Sequence, residues 1–178
     1  MREVELKILD IDVKNVKSKL KALGASCSGT HLMHINIFDY PDGRLLRNGI
    51  LFRLRTSQGK TVLTLKKHHS SGKFKDSEET EMEVPDVKSF VSILGSLGYV
   101  CAEEQEKRRT TYHVNGVEVE IDEYPGVPPY LEIEGPKKNI EALVKKLGFR
   151  MSQTTNYTYQ QVIKSYGLDP KRLLFQNR

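Results

Sequence analysis

Strand-like segments of this chain repeatedly set ionised side chains on one face and aliphatic side chains on the other. The first, EVELKI (residues 3–8), alternates Glu3, Glu5 and Lys7 with Val4, Leu6 and Ile8. Successive side chains on a strand point to opposite faces, so the two carboxylates and the ammonium share one side. Arg53 and Arg55 share a face, with Leu54 opposite. Thr64 and Lys66 oppose Leu63 and Leu65, and Glu79, Glu81 and Glu83 oppose Met82 and Val84. Lys107 and Arg109 share a face; Glu118, Glu120 and Asp122 oppose Val117, Val119 and Ile121; Glu132 and Glu134 oppose Leu131 and Ile133. A lone E-x-E-x-K is ordinarily the solvated side of a one-sided sheet. Repetition in nearly every strand is a stronger constraint.

Three of these strands precede helical segments that end in Leu-Gly. EVELKI leads to DVKNVKSKLKALG, ETEMEV to PDVKSFVSILGSLG, and YLEIEG to PKKNIEALVKKLG. Val13, Val16, Leu20 and Leu23 form one apolar stripe; Val87, Phe90, Val91, Leu94 and Leu97 a second; Ile140, Leu143, Val144 and Leu147 a third. Asp12 and Asp86 suit N-caps, Pro136 a first turn, and Gly24, Gly98 and Gly148 left-handed C-caps. Further strands are expected at MHINIFD (33–39), on either side of Gln58-Gly59-Lys60, and on either side of Asn115-Gly116, the strongest short hairpin signal present. HHSSGKFKDSEE (68–79) reads as a polar, mobile loop, and TTNYTYQQVIKSYG as a terminal helix.

Three amphipathic helices need an apolar surface to cover, and the aliphatic strand faces supply one. An open sheet would leave the charged face in water. A closed barrel would turn it inward and leave a polar tunnel. Inward charges must be paired or hold metal, and both signs are present here. The expected class is therefore α+β, a closed barrel with helices packed outside.

At 178 residues the chain suits one domain, residues 1–178, with the C-terminal helix and basic tail (about 155–178) as an appendage. Cys27 and Cys101 lie far apart without metal-ligand spacing, so a reducing cytoplasm is the expected compartment. There is no apolar run near the roughly 18 residues of a membrane span, and no signal peptide is read at the charged N-terminus. A net charge of +5 favours anionic partners. Arginine and lysine grip phosphate oxygens, while carboxylates hold Mg²⁺ or Mn²⁺, which share phosphate oxygens. Cations and acids together suit a metal-bridged chain of phosphates, and their number suits a triphosphate.

E-x-E-x-K on the first strand, R-x-R, the T-L-K strand, E-K-x-R, and a late aspartate followed by E-I-E resemble, in this order, the CYTH proteins, or triphosphate tunnel metalloenzymes. The resemblance runs from Glu3 to about Tyr166. It implies an eight-stranded antiparallel barrel with one or two Mg²⁺ or Mn²⁺ ions. Glu3, Glu5, Glu132, Glu134 and Asp122 are the implied metal ligands, with Glu81 as an outer member. Glu3, Glu5, Lys7, Glu132 and Glu134 form the implied catalytic set. Lys7, Arg53, Arg55, Lys66, Lys107 and Arg109 are the implied triphosphate grip, and Tyr157 and Lys164 close one tunnel mouth. Where the family often has Gln or Asp on the second strand, this chain has His34 and Asn36, which leaves the non-phosphate end of the substrate open.

Blander readings apply to other residues. Glu118 and Glu120 read as a solvated rim, His34 equally as a structural hydrogen-bonder or a substrate contact, His68 and His69 as a solvated pair, Arg44 and Arg47 as part of a surface turn, and the tyrosines of the last helix as packing. Among the family's activities, EVELK, EKRRTTYHVNG and VEID look most like the class IV adenylate cyclases, which convert ATP to cyclic AMP and pyrophosphate. A triphosphatase acting on inorganic, thiamine or nucleoside triphosphate is the alternative. A non-catalytic polyphosphate sensor would need only the cations. A nucleic-acid binder would need an aromatic stacking array, which the sequence lacks; no nucleic-acid or membrane partner is expected. A monomer or homodimer is expected.

Overall fold

The computed structural model describes residues 2–69 and 72–176. Eight strands carry the architecture: β1 (Arg2–Ile8), β2 (Ser26–Asp39), β3 (Ile50–Ser57), β4 (Lys60–His69), β5 (Lys75–Glu83), β6 (Val100–Val114), β7 (Val117–Glu123) and β8 (Tyr130–Glu134). They pair in the order β6-β2-β3-β4-β5-β1-β8-β7, and β7 pairs back onto β6, so the sheet closes into an antiparallel barrel. Two short strands attach to it: β9 (Thr154–Thr155) beside β1 and β10 (Arg172–Leu173) parallel to β6.

Two tight turns set the hairpin registers. Asn115 (φ 52°) and Gly116 (φ 69°) are both left-handed, as a two-residue turn matched to strand twist requires. Gln58 (φ 51°) and Gly59 (φ 75°) do the same between β3 and β4, so Lys60 belongs to the strand rather than the loop. The longest pairing, β2 with β6, carries irregularities at Cys27/Gly29 and Ile37/Phe38. Such bulges add local bend and twist, which closure needs.

The helices α1 (Val13–Ala22), α2 (Arg44–Arg47), α3 (Val87–Ser96), α4 (Lys137–Lys146) and α5 (Tyr159–Ser165) pack outside the sheet. Asp12 and Asp86 cap α1 and α3 by accepting from Asn15 and Ser89 backbone N–H groups. Pro136 occupies the N-cap of α4, one position before the first turn. The main core lies between α1, α4 and the outer barrel face: Val16, Leu20, Ile140, Leu143 and Val144 against Leu6, Ile8, Val119, Ile121, Leu131 and Ile133. α3 covers Phe38, Leu54 and Val84 with Val87, Phe90 and Leu94. Its Val91 and the adjoining Leu97, read as part of the buried stripe, are exposed; the cluster that α3 joins draws on β2, β3, β4 and Val84 through Phe90 and Leu94 instead.

Two further expectations change. The polar segment 68–79 is not a loop throughout: His68 and His69 end β4, and β5 begins at Lys75. Ladder pairing of His68 with Ser77 and His69 with Asp76 overrides the polar composition. Ser70 and Ser71 lie outside the described residues. The terminal helix is shorter than its pattern, because Thr154 and Thr155 pair with Ile8 and Lys7 first. α5 then places Val162 and Ile163 on Tyr124 and Tyr130, and Tyr159 on Ile35, Ile37 and Leu51. It therefore lies across one end of the barrel.

Closure makes the two faces unequal in a measurable way. Ile133→Ala, at a side chain with no exposure, is expected to cost about 2–5 kcal/mol in chemical denaturation. Met82→Ala, on an uncovered stretch of outer face, is expected to stay within about 0.5 kcal/mol.

Candidate active site in the barrel interior

Register places the charged faces inside. Across β1 and β8, Glu5 lies opposite Glu134 and Lys7 opposite Glu132. Across β6 and β7, Arg109 lies opposite Asp122. Across β4 and β5, Lys66 lies opposite Glu79 and Thr64 opposite Glu81. These residues surround a cavity of about 240 Å³. Glu3, Lys7, Arg53, Arg55, Lys66, Glu81, Lys107, Arg109, Glu132 and Glu134 all line it. Glu5 and Asp122 stand behind that lining, buried in the wall.

Two kinds of centre share the interior. In the first, carboxylate oxygens of Glu3, Glu5 and Glu134 lie within 4.8 Å of one another. Like charges directly opposite on paired strands repel, so this grouping needs cations. Lys7 Nζ donates to Glu5 at 2.6 Å and Lys75 Nζ at 2.8 Å, while Lys66 pairs with Glu3. Burial raises the Glu5 carboxyl, but Lys7, Lys75 and Lys66 overcome it and hold Glu5 well below its ordinary value. Among the described residues Glu134 has no such partner: burial, then the Glu3 charge, opposed by Lys66 but joined by Glu132 and Glu5, push it up to about 7. Glu79 is likewise pushed up to about 7, by burial and by its hydrogen bond with Glu3. Glu5 Oε2, though buried, has no hydrogen-bond partner. An all-oxygen cluster whose Glu5 Oε2 is buried without a hydrogen bond, its ion-pair contact with Lys66 3.6 Å long, fits a hard divalent cation. Glu3, Glu5 and Glu134 would hold it.

In the second centre Asp122 anchors cations. Arg109 Nε and Nη2 both donate to it at 2.6 Å, and Lys107 Nζ at 2.9 Å. Despite burial, these partners hold Asp122 far below the usual carboxylate range. Both of its oxygens accept from these cations, which ties the residue to the basic wall. Burial and the adjacent Arg109 lower Lys107 to about 8. On the facing wall Arg53 Nη2 donates to Thr64 at 3.1 Å and Glu79 at 3.4 Å. Arg55 reaches Glu81 only at 3.5 Å. Burial, Arg53 and Arg109 all work against its proton, so this guanidinium sits among cations with one distant carboxylate.

Glu120, read as a solvated rim residue, is buried at 5 % exposure, pairs with Arg109 and is raised by burial to about 8. Glu118, one period nearer the open end, does line the mouth. His34 and Asn36 share the outward parity of β2, and the inward positions are Ile35 and Ile37. His34 pairs with Glu106 at 2.9 Å. His68 is half-buried and lowered by burial to about 4, so it is not a solvated residue. Lys164 is exposed on α5 and Tyr157 is 40 % exposed before it; neither lines the cavity, whereas Tyr159 does. Lys75, Glu79, Gln105, Tyr124 and Tyr130 also line it and were absent from the sequence-derived set. Parity carried a signal for Lys75, which lies an even number of residues before Glu79 and Glu81, but only if β5 is extended into the polar segment.

A family model described as CYTH domain matches residues 1–164. A Methanocaldococcus jannaschii protein named "Putative adenylate cyclase MJ0240" is 27% identical over 169 residues, covering 93% of this chain and 97% of that protein. Among solved structures, the PH1012 protein of Pyrococcus horikoshii aligns with TM-score 0.78 at 24% identity, over 90% of this chain and 98% of its own. A Hippeastrum protein described as "Putative adenylyl cyclase HpAC1", with "a dominant triphophatase activity", aligns with TM-score 0.69 at 23% identity over 93% and 96%.

Raised carboxyls set a pH dependence. Glu79, Glu120 and Glu134 keep protons in the fold that the unfolded chain releases near 4.5. The folded state then binds more protons, so stability falls as pH rises through this window. Glu5 and Asp122, held low, act oppositely and lose their contribution in acid. Without divalent cation or phosphate, the melting temperature is expected to fall from about pH 5 to pH 8. Adding Mg²⁺ is expected to flatten that fall in a calorimetric pH series.

Proposed function

Because the chain belongs to the CYTH domain family, we propose that it is a metal-dependent enzyme that takes a triphosphate into its tunnel and cyclises ATP to cyclic AMP and pyrophosphate. The observation that carries this reading is the meeting of two centres around one cavity: a carboxylate cluster of Glu3, Glu5 and Glu134, and a wall of arginines and lysines in which Arg55 has only a long contact with Glu81. A triphosphate with Mg²⁺ or Mn²⁺ engages both. The Methanocaldococcus relative's name supports the cyclase chemistry.

Arg53, Arg55, Lys66, Lys107 and Arg109 bind and orient phosphate oxygens, with Arg55 placed to offer two parallel donors. Asp122 fixes Arg109 and Lys107 from behind, so neither reorganises when charge develops. The divalent ion, when bound, neutralises charge on the phosphate oxygens. In cyclisation the ribose 3′-oxygen bonds to the α-phosphorus, the bond from that phosphorus to the bridging oxygen breaks, and pyrophosphate leaves. The hydroxyl proton passes to a carboxylate. Glu79, near 7, lies in the range where a general base works.

Triphosphate hydrolysis is the second reading, favoured by the activity described for the Hippeastrum neighbour. The same grip would serve it, with water replacing the ribose hydroxyl. Product analysis separates the two: incubation with ATP, thiamine triphosphate and tripolyphosphate, first with Mg²⁺ and then Mn²⁺. Cyclic AMP with pyrophosphate is expected; orthophosphate would establish hydrolysis instead, and no product from any substrate would refute both.

Glu5→Gln or Glu134→Gln is expected to abolish metal-dependent turnover while the circular dichroism spectrum is retained. Arg55→Ala is expected to weaken tripolyphosphate binding by about 2–5 kcal/mol, the range for truncating one partner of a buried charge pair. Titration calorimetry gives the value, and unchanged affinity would remove Arg55 from the grip.

A further inference from the structure

The tunnel is not charged along its whole length. Toward the end crossed by α5, the inward positions of β2 and β3 are Ile35, Ile37 and Leu51, facing Tyr124 and Tyr159. A chain of phosphates gains nothing from such walls. Set into them is one polar side chain, Gln105, at 1 % exposure.

Its orientation is fixed by its partners. Gln105 Nε2 donates to Glu103 Oε2 at 2.8 Å and to the Pro170 carbonyl at 2.8 Å. A carbonyl can only accept, so the amide nitrogen must face Pro170 and the amide oxygen must face away. That oxygen, Oε1, is buried and has no hydrogen-bond donor. Buried acceptors are normally paired, and an unpaired one calls for a reason. The support beneath it is rigid: Glu103 also accepts from Tyr159 Oη at 2.8 Å and from Gln160 Nε2, which ties Gln105 to the capping helix.

We propose that Gln105 is a specificity-determining residue, whose amide oxygen accepts a hydrogen bond from an amino group on a planar ring lodged at the end of the cavity lined by Tyr124 and by Tyr159, which itself packs on Ile35, Ile37 and Leu51. The proposal rests on the reading of the charged half as a triphosphate site and names what that triphosphate is attached to. The ligand is bipolar, a polyanion at one end and a flat amino-bearing heterocycle at the other. Adenine, cytosine and an aminopyrimidine share this chemistry; inorganic tripolyphosphate lacks it. A site built around a hydrogen-bond acceptor rejects analogues without the donor, because its buried acceptor then stays unpaired.

The experiment measures binding of ATP, inosine triphosphate and tripolyphosphate by the full chain with Mg²⁺, in wild type and in Gln105→Met, which keeps length and removes the acceptor. Inosine triphosphate carries an oxygen where ATP carries the amine. Wild type is expected to prefer ATP over inosine triphosphate by at least about tenfold. Gln105→Met is expected to bring the two within about threefold while tripolyphosphate affinity stays within about twofold of wild type. Equal wild-type affinities for ATP and inosine triphosphate would overturn the proposal and leave the triphosphate site standing. So would a loss in Gln105→Met that is the same for all three ligands, since that marks a residue needed only for the barrel's shape. Failure of wild type to bind tripolyphosphate would overturn the triphosphate reading and this proposal with it.

Discussion

The mutual neutralisation of inward charges is the condition on which this barrel depends. Buried ions are costly unless paired, and closure buries many at once. The solution is distributed. Asp122 takes Arg109 and Lys107, Glu5 takes Lys7 and Lys75, and Glu79 accepts from Arg53 and lies near Lys66. Each pairing crosses a strand boundary or links alternate residues of one strand, so the charges that endanger the fold also tie its staves together. Among the described residues Glu134 and Arg55 have the weakest partners, and both face the cavity. A structure optimised for stability alone would have paired them more closely; leaving them weakly held is what makes a site.

The second organising element is the division between inside and outside. In most globular domains the core lies inside the sheet layers. Here the apolar core lies outside the barrel, sandwiched under α1, α3 and α4. The interior is thereby released from packing and can hold polar groups around open space. α5 closes one end of that space with tyrosine and aliphatic contacts, so the cavity runs from a charged mouth at Glu118 and Glu81 to an apolar end at Leu51 and Tyr159.

Much of this was legible in the sequence because strand parity has period two and closure preserves it. Once Glu3, Glu5 and Lys7 face inward, ladder pairing carries the assignment from strand to strand. Glu132, Arg109, Arg53 and Lys66 follow without coordinates. Errors arose where composition was read in place of parity. The segment around His68 and Lys75 looked like a loop because it is polar, yet an inward-facing strand of this barrel is polar. Glu120 looked like a rim residue because nothing in a sequence tells how far along a strand the tunnel mouth lies. His34, whose sequence suits either a structural hydrogen bond or a substrate contact, has the outward parity of β2, and Ile35 and Ile37 point inward instead.

The sequence by itself determined which residues share a face, where the hairpins turn at Asn115-Gly116 and Gln58-Gly59, and that acids and bases would have to meet. Those are consequences of alternation and backbone stereochemistry, which act over a few residues. Only the tertiary structure decided who pairs with whom: that Asp122 binds Arg109 and Lys107, that Glu134 is left raised and Arg55 weakly paired, and that the Gln105 amide oxygen is buried without a donor among the described residues. Those outcomes depend on distances between side chains far apart in the chain, and on the low dielectric that closure imposes around them.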